Sequence, residues 1–233
     1  MPLKLICFDL DNTLWPVDPV IRRAEQAAWQ WLSVHAPDAA AHADVDRVRT
    51  LRLQLLEKRP DYIHNLTALR RDTLYEVLCA AGYGNAEAAS LAGQGLAEFL
   101  AHRNRVEFFP GARELLERLA GRYRLAALSN GNASLQEIGL AHLFDSVLSA
   151  EKVGRAKPDP AMFLRALSDT GLRAQDAMHI GDHPEQDVLA ARELGFVAVW
   201  ANPLRLSRPD NLPPDVPSFE HFHQLETLIG NHP

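Results

Sequence analysis

Short apolar runs alternate with segments of helical periodicity along most of this chain, and that alternation restricts the fold more than any other feature. The apolar runs are Leu3–Phe8, Arg124–Leu128, Ser146–Leu148, Ala177–Ile180 and Phe196–Trp200. Apolar residues spaced three and four apart mark the segments Ala112–Gly121, Ser134–His142, Ala161–Thr170 and Gln186–Leu194. Near-continuous apolar strands that alternate with helices are typical of a parallel sheet covered on both faces. The sequence therefore predicts an α/β fold with a mainly parallel sheet.

The segment from residue 15 to residue 105 has a different pattern, because it is rich in Ala, Leu and Arg and shows no clear strand. Helical periodicity recurs there in four blocks, which are Pro19–Val34, Val45–Lys58, Leu66–Ala81 and Ala86–Ala101. We therefore expect residues 15–105 to form a helical domain that is inserted into a sheet domain built from residues 1–14 and 106–233.

The overall composition is that of an ordinary globular protein, with 233 residues of which 47% are hydrophobic and 23% charged. A net charge of −6 argues against a nucleic acid or an anionic membrane as the main partner. Two cysteines are too few for a disulfide framework. The chain enters its first apolar run without a signal-peptide pattern, and no apolar run reaches the length of about 18 residues that spans a membrane. A cytoplasmic location is therefore expected.

Polar residues stand at the ends of several apolar runs, and one lysine precedes a predicted helix. These residues are Asp9, Asp11, Ser129, Asn130, Lys157 and Asp182. In open parallel sheets the ligand site lies beyond the carboxyl ends of the strands. Four separate segments of the chain are thus predicted to meet at one edge of the sheet, where they would form an active site.

Asp9 and Asp11 lie one residue apart at the end of the first run, so that their side chains are expected on the same side. Two such anions repel by about 1 kcal/mol in water and about 4 kcal/mol at an effective dielectric near 20. A divalent cation bound beside these two carboxylates would offset that repulsion. The alternative is a pair of loop carboxylates that cap a turn through Asn12 and Thr13, but the other converging segments favour a chemical role.

Each of these residues fits one step of phosphoryl transfer. Asp9 is the candidate nucleophile, since carboxylates form aspartyl-phosphates, and Mg²⁺ would neutralise the charge on the phosphate. Asp9 and Asp182 would bind the metal through their side chains and Asp11 through its backbone carbonyl. The side chain of Asp11 is then available as the general acid and base.

The remaining candidates would bind the phosphate group or support the site. Ser129 and Asn130 would hold phosphate oxygens through a hydroxyl and a turn of the backbone, and Lys157 would supply a positive charge. Taken alone, the serine–asparagine pair is an ordinary turn and the lysine a solvated loop residue. Asp187 is a supporting residue that would bind the metal through water, orient Lys157 or interact with a helix dipole.

Two histidines, His179 and His183, flank Asp182 and would suit zinc. The neighbouring candidate ligands are all hard oxygen atoms, and this favours Mg²⁺. We therefore expect both histidines to be structural.

Together these motifs resemble those of the haloacid dehalogenase superfamily. The matches are Asp9-Leu10-Asp11-Asn12-Thr13, Ser129, Lys157, and Gly181-Asp182 through Asp187. The resemblance implies a Rossmann-like core with an inserted α-helical cap, and Mg²⁺-dependent phosphoryl transfer through Asp9. The dehalogenases that give the family its name lack the second aspartate, so the presence of Asp11 favours a phosphatase.

A closer resemblance is to the bacterial phosphatases that act on flavin mononucleotide (FMN) and on a phosphorylated riboflavin precursor. The similar stretches are Pro19-Val20-Ile21, Ser129-Asn130-Gly131-Asn132-Ala133 and Leu140 to Asp145. In the helical segment the resemblance suggests five residues as substrate contacts. The alternative is that each of them has a structural role. They are Trp29, Tyr62, His64, Asn65 and Arg70.

The sequence therefore predicts a Mg²⁺-dependent phosphatase of small phosphate monoesters that works through an aspartyl-phosphate intermediate. The expected partner is a small phosphorylated metabolite, with no nucleic acid or membrane involved, and the expected state is a monomer or homodimer. A phosphomutase on the same scaffold, a binding module without catalytic activity and a hydrolytic 2-haloacid dehalogenase remain as alternatives.

Overall fold

The computed structural model describes residues 2–231. Contacts among them divide the chain into two compact units. The first unit comprises the residues up to Val17 and those from Val106 onward, and the second unit comprises Asp18–Arg105. In the described part of the chain, no helix is both long and apolar enough to cross a membrane.

The second unit is helical, as its periodicity predicts. The helices are α1 Val17–His35, α2 Pro37–His42, α3 Val45–Lys58, α4 Leu66–Ala80 and α5 Asn85–Arg103. The side chains of Asp44 and Asn65 accept hydrogen bonds from the backbone at the starts of α3 and α4, and these caps set where the two helices begin. Leu32, Leu78 and Ala88 come from three different helices and are buried in one apolar cluster.

Several polar side chains of the second unit make contacts within it. Arg70 lies 3.7 Å from the centre of the Phe99 ring and forms an ion pair with Glu25. The hydroxyl of Tyr62 donates a hydrogen bond to Asp72. These contacts support structural roles for Arg70 and Tyr62, which were the alternative to substrate binding.

The described residues of the first unit form a parallel six-stranded sheet in the order β3-β2-β1-β4-β5-β6. The strands are β1 Leu5–Phe8, β2 Arg124–Ser129, β3 Ser146–Ser149, β4 Ala177–Gly181, β5 Val197–Ala201 and β6 Ser218–Phe219. This arrangement confirms the predicted α/β class. The apolar pattern did not predict β6, because its two residues are too few to show a periodicity.

Strand β1 lies in the middle of the sheet, which explains its continuous apolar sequence. Its four residues are fully buried, and Leu5 is in register with Arg124 of β2 and with Ala177 of β4. Just beyond β1, the backbone N–H of Asp9 donates to the carbonyl of Ile180 at 2.9 Å. Asp9 is thereby fixed beside the end of β4.

Helices of the first unit cover this sheet, and two of them differ from the predicted segments. They are α6 Ala112–Leu119, α7 Leu135–Ile138, α8 Ala150–Val153, α9 Ala161–Thr170, α10 Ala190–Glu193 and α11 Phe222–Gly230. The predicted helix 134–142 ends early, at Ile138, because Gly139 adopts a left-handed conformation with φ of 81°. The predicted helix 186–194 begins instead as a wide π-helical turn, Pro184–Leu189, which continues into α10.

Candidate active site

The loop after β1 holds the first carboxylate in a buried position. Thr13 donates a hydrogen bond from its hydroxyl to Asp9 Oδ2 at 3.1 Å. Asn12 adopts a left-handed conformation with φ of 58°, and its side chain accepts from the backbone N–H of Val17 at 3.0 Å. Asparagine tolerates this conformation better than most residues. The motif that the sequence singles out is therefore a tight turn that orients Asp9.

The second carboxylate of the pair has a different partner. The indole nitrogen of Trp15 donates to Asp11 Oδ1 at 2.9 Å, and the backbone N–H of Asn12 donates to the carbonyl of Trp15 at 2.7 Å. Trp15 is fully buried and packs edge-to-face on Phe108. Sequence reasoning did not identify Trp15, whose role depends on the turn that brings its ring back to Asp11.

Lys157 is buried between two carboxylates. Its ammonium group donates to Asp9 Oδ1 at 2.8 Å and to Asp187 Oδ1 at 2.5 Å. Burial by itself would lower the pKa of Lys157, but the two negative charges outweigh it and hold that pKa above its usual value. The lysine therefore carries a positive charge at the end of the sheet, as its predicted role requires.

Donor groups surround both oxygens of the Asp187 carboxylate. Oδ1 contacts His179 Nε2 at 3.0 Å as well as Lys157, and Oδ2 accepts from the backbone N–H of His183 at 3.1 Å. Burial would raise the pKa of Asp187, but Lys157 and His179 outweigh it and hold that pKa well below its usual range. Of the three roles considered for Asp187, this geometry supports the orientation of Lys157.

Close packing at the end of β4 depends on Gly181. A Cβ atom at this position would lie 2.3 Å from Asp187 Cγ and 2.6 Å from Asp187 Oδ2. Such distances are far below van der Waals contact, so that only glycine fits beside the aspartate as it stands. Glycine is therefore needed at position 181 to leave space for the Asp187 side chain.

The two histidines make the structural contacts expected of them. His179 is fully buried, and burial lowers its pKa, so that it is neutral and donates from Nε2 to Asp187. His183 Nδ1 accepts from the backbone N–H groups of Glu185 and Gln186 at 3.2 and 3.3 Å. His183 thus caps the start of the π-helical turn.

Asp182 follows β4 and lies near Asp9. The indole nitrogen of Trp200 on β5 donates to the backbone carbonyl of Asp182 at 2.8 Å, a contact that the sequence did not indicate. Burial raises the pKa of Asp182 to about 8, and the charges of Asp9 and Asp187 add to the effect. Burial likewise raises the pKa of Asp9 to about 7, with Asp187 and Asp11 adding to it and Lys157 opposing it.

Asp9, Asp182 and Asp187 could together hold a cation, since each has a carboxylate oxygen within 4.8 Å of the others. Both oxygens of Asp187 already accept hydrogen bonds, whereas Asp182 has a raised pKa, to which burial contributes most and repulsion from the Asp9 charge adds. A dication between Asp9 and Asp182 would offset that repulsion, and a set of hard oxygen donors fits Mg²⁺. The side chain of Asp11 lies outside this set, so its predicted metal contact through the backbone carbonyl stays a prediction.

Ser129 and Asn130 follow β2 and differ in what their side chains do. Ser129 is buried, and its hydroxyl accepts from the backbone N–H of Gly131 at 3.0 Å. The side chain of Asn130 is hydrogen-bonded to both backbone groups of Lys157 and to Gln186, and the phosphate contact expected from the backbone of this turn stays a prediction. The side-chain amide of Asn130 therefore holds the backbone of Lys157, because the turn after β2 brings these two residues together.

A cavity of about 570 Å³ begins beside this loop. Leu10 and Ser129 line one part of it, and the apolar residues Leu135, Val147 and Leu148 line much of the rest. Polar residues also line it, among them Asn132, Gln136, Glu151 and Lys152. Its volume lies in the range of pockets that bind small organic molecules.

Comparison with known proteins agrees with this architecture. A family model described as haloacid dehalogenase-like hydrolase matches residues 3–195. The 5-amino-6-(5-phospho-D-ribitylamino)uracil phosphatase YigB of Escherichia coli K12 is 30% identical over 86% of this chain and 84% of its own. The glyceraldehyde 3-phosphate phosphatase of Methanopyrus kandleri is 25% identical over 97% of this chain and 96% of its own.

A solved structure is also similar over nearly its whole length. It is described as a 2-haloacid dehalogenase from Pseudomonas syringae pv. Tomato DC3000, and it superposes with a TM-score of 0.93 at 38% identity. The alignment covers 98% of this chain and 99% of that one. With the four motifs gathered at one edge of the sheet and the family model matched over most of the sequence, the chain belongs to the haloacid dehalogenase-like hydrolases.

Proposed function

We propose that this hydrolase is a Mg²⁺-dependent phosphatase of small phosphate monoesters. The observation that carries the proposal is the presence of two carboxylates with separate partners at the end of β1. Asp9 is paired with Lys157, whereas Asp11 is held by the indole of Trp15. One carboxylate can therefore attack while the other transfers a proton.

The proposed reaction has two steps. Asp9 attacks the phosphorus atom, a new P–O bond forms, and the bond to the alcohol breaks as Asp11 gives that alcohol a proton. Asp11 then takes a proton from water, which attacks the aspartyl-phosphate, releases inorganic phosphate and regenerates Asp9. Lys157 and Ser129 would hold the phosphate oxygens throughout. Bound at Asp9 and Asp182, Mg²⁺ would neutralise charge on the phosphate group.

Asp11 is also the reason to prefer a phosphatase over a dehalogenase. A halide leaves as a stable anion, so its displacement by a carboxylate requires no proton donor at the leaving group. An alkoxide is a poor leaving group and gains much from general acid catalysis. A second carboxylate beside the nucleophile therefore supports phosphate ester hydrolysis, even though one similar structure is described as a dehalogenase.

For the substrate, we propose FMN or a phosphorylated riboflavin precursor. The name of the Escherichia coli relative supports this, since that protein is described as a phosphatase of a phosphorylated ribitylaminouracil. The cavity beside Ser129 supports it as well, because about 570 Å³ leaves room for a ring-containing alcohol. A cytoplasmic location and a monomeric or homodimeric state belong to the same proposal.

Phosphate release from a panel of flavin, nucleotide, sugar and triose phosphates tests the proposal. We expect release with Mg²⁺, loss of release with EDTA, and the highest kcat/KM for FMN or the ribityl precursor. Release that persists in EDTA would contradict the metal requirement. Isomerisation of a sugar phosphate without net release would point to a mutase, and halide release from 2-haloacids without Mg²⁺ would point to a dehalogenase.

The role of Asp11 makes a separate prediction. Asp11→Asn is expected to lower the steady-state rate by about 10²- to 10⁴-fold, the range typical of a lost general acid–base. With p-nitrophenyl phosphate, whose leaving group needs no proton, the first step should continue and the second should stop. A rapid burst of p-nitrophenol that approaches one equivalent per enzyme should then precede the slow phase.

Asp18→Asn is the matched control, since Asp18 is an exposed carboxylate near the start of α1. It should keep the wild-type rate and show no burst. An Asp11→Asn enzyme that turns over alkyl phosphates at the wild-type rate would remove Asp11 from the mechanism.

A further inference from the structure

Lys157 is held at both of its ends. Its ammonium group contacts Asp9 and Asp187, as described above. Its backbone is held by Asn130, whose Oδ1 accepts from the N–H of Lys157 at 2.7 Å and whose Nδ2 donates to the carbonyl of Lys157 at 2.9 Å. The lysine backbone and the ammonium group are therefore fixed by different segments of the chain.

The hydrogen bonds of Asn130 use the full donor capacity of its amide. The second N–H of Nδ2 points to Gln186 Oε1 at 2.9 Å, so that Gln186 fixes which way the amide faces. With both N–H groups committed, the side chain has no donor left for a phosphate oxygen. Any contribution of the Asn130 side chain to the reaction would therefore pass through Lys157.

These contacts connect the segments that carry Ser129, Lys157 and Asp187. Asn130 directly follows Ser129, and Gln186 directly precedes Asp187. The phosphate-binding hydroxyl, the lysine and the aspartate that orients it are thus tied to one another. A shift of the lysine backbone would move its ammonium group relative to Asp9 and Asp187.

We propose that Asn130, supported by Gln186, is a positioning residue that sets where the Lys157 ammonium group lies. The kinetic part of this proposal rests on the phosphatase function proposed above. The structural part does not, because the accessibility of the lysine can be measured in a protein of any activity.

Reductive methylation of the metal-free protein, followed by peptide mass spectrometry, tests the structural part. Lys157 should be the slowest lysine to react in the wild type, because it is buried and ion-paired. In Asn130→Ala it should react at least about 10-fold faster, since its backbone is released while the ammonium keeps its charge partners. Asn211→Ala is the matched control, because it removes an exposed hydrogen bond from an asparagine side chain to Glu185 and should leave the labelling rate of Lys157 unchanged.

Kinetics test the catalytic part. Asn130→Ala should lower kcat/KM by about 10- to 100-fold through kcat, the size of effect expected from a misplaced catalytic group. Gln186→Ala removes one of three hydrogen bonds and should lower it by only about 3-fold. Both variants should melt near the wild type. If Asn130→Ala melts far lower, the loss in kcat/KM is measured instead in Gln186→Ala and in Asn130→Asp. Asn130→Asp keeps the acceptor of the side chain and loses both donors.

A double variant separates positioning from a direct contact with substrate. If Asn130 acts only through the lysine, Asn130→Ala should add less than about 2-fold to the loss caused by Lys157→Met. Full additivity in kcat/KM, or wild-type protection of Lys157 in Asn130→Ala, would overturn the proposal. If no variant or wild-type enzyme releases phosphate while the labelling behaves as expected, the phosphatase function fails and the positioning role stands.

Discussion

Replacing Asp9 by asparagine is expected to abolish phosphate release and to leave the fold intact. Asparagine has the same shape, but its amide does not attack phosphorus. Activity should fall by at least about 10⁴-fold, as is typical when a nucleophile is removed from a unit of cooperating residues. Phosphate release from the freshly purified variant measures the effect.

The same variant should also report on the metal. In EDTA it should melt close to the wild type, since burial disfavours the ionised form of Asp9 and Lys157 keeps its ion pair with Asp187 when Asp9 is replaced. The rise in melting temperature that we expect on adding Mg²⁺ should be largely lost, because one of the two proposed side-chain ligands is removed.

A carboxylate elsewhere in the same unit provides the control. Asp169 pairs with Arg165 on α9, and Asp169→Asn should keep full activity and the full response to Mg²⁺. An Asp9→Asn enzyme with more than about 1% of wild-type activity would exclude Asp9 as the nucleophile. An unchanged response to Mg²⁺ would instead exclude Asp9 as a ligand.

Gly181→Ala is expected to have the largest effect on stability. The new methyl group would overlap the carboxylate of Asp187 and push it away from its partners. Lys157 and His179 would then lose their contacts with Asp187 in a buried environment. Breaking a buried ion pair costs about 3–5 kcal/mol, so urea unfolding should show a loss of that order. Activity should fall with it, because the lysine is no longer held in place.

Two comparisons isolate the steric cause of this loss. Gly93→Ala is the control, since Gly93 lies in α5 and a Cβ atom there would meet no described side chain within 4 Å. It should be neutral or stabilising by up to about 1 kcal/mol. In an Asp187→Ala background, Gly181→Ala should cost much less than alone, because the clashing carboxylate is absent. An equal cost in both backgrounds would show that the glycine is required for another reason.

The sequence predicted the sheet, and the segments that meet at its edge, for a physical reason. Strands such as β1 and β4 are buried on both faces, so their apolar runs are continuous and easily seen. The carboxyl ends of parallel strands meet at one edge, and this brings Asp9, Ser129 and Asp182 together whatever the details of the loops.

The hydrogen bonds that support the site could not be predicted, because they depend on the paths of loops, which have no periodic sequence pattern. The indole of Trp15 returns to Asp11 only through the turn at Asn12, and the indole of Trp200 reaches Asp182 from a neighbouring strand. Asparagine is common in turns, yet the side-chain amide of Asn130 is hydrogen-bonded to both the N–H and the carbonyl of Lys157. Serine, asparagine and glycine at a strand end indicate a turn but not the partner of each side chain.

The central position of β1 has a consequence for how the protein is made. Leu5 is in register with Arg124 and with Ala177, and the whole helical unit is translated before either partner strand. At about 5–20 residues per second, β4 follows β1 by roughly 10 to 30 s. The helical unit is complete a little past the middle of that interval, whereas β1 stays an apolar segment with both edges unpaired until β2 follows. The nascent chain is therefore most prone to aggregation at its first strand, and it stays so until the end of β4 has left the ribosome.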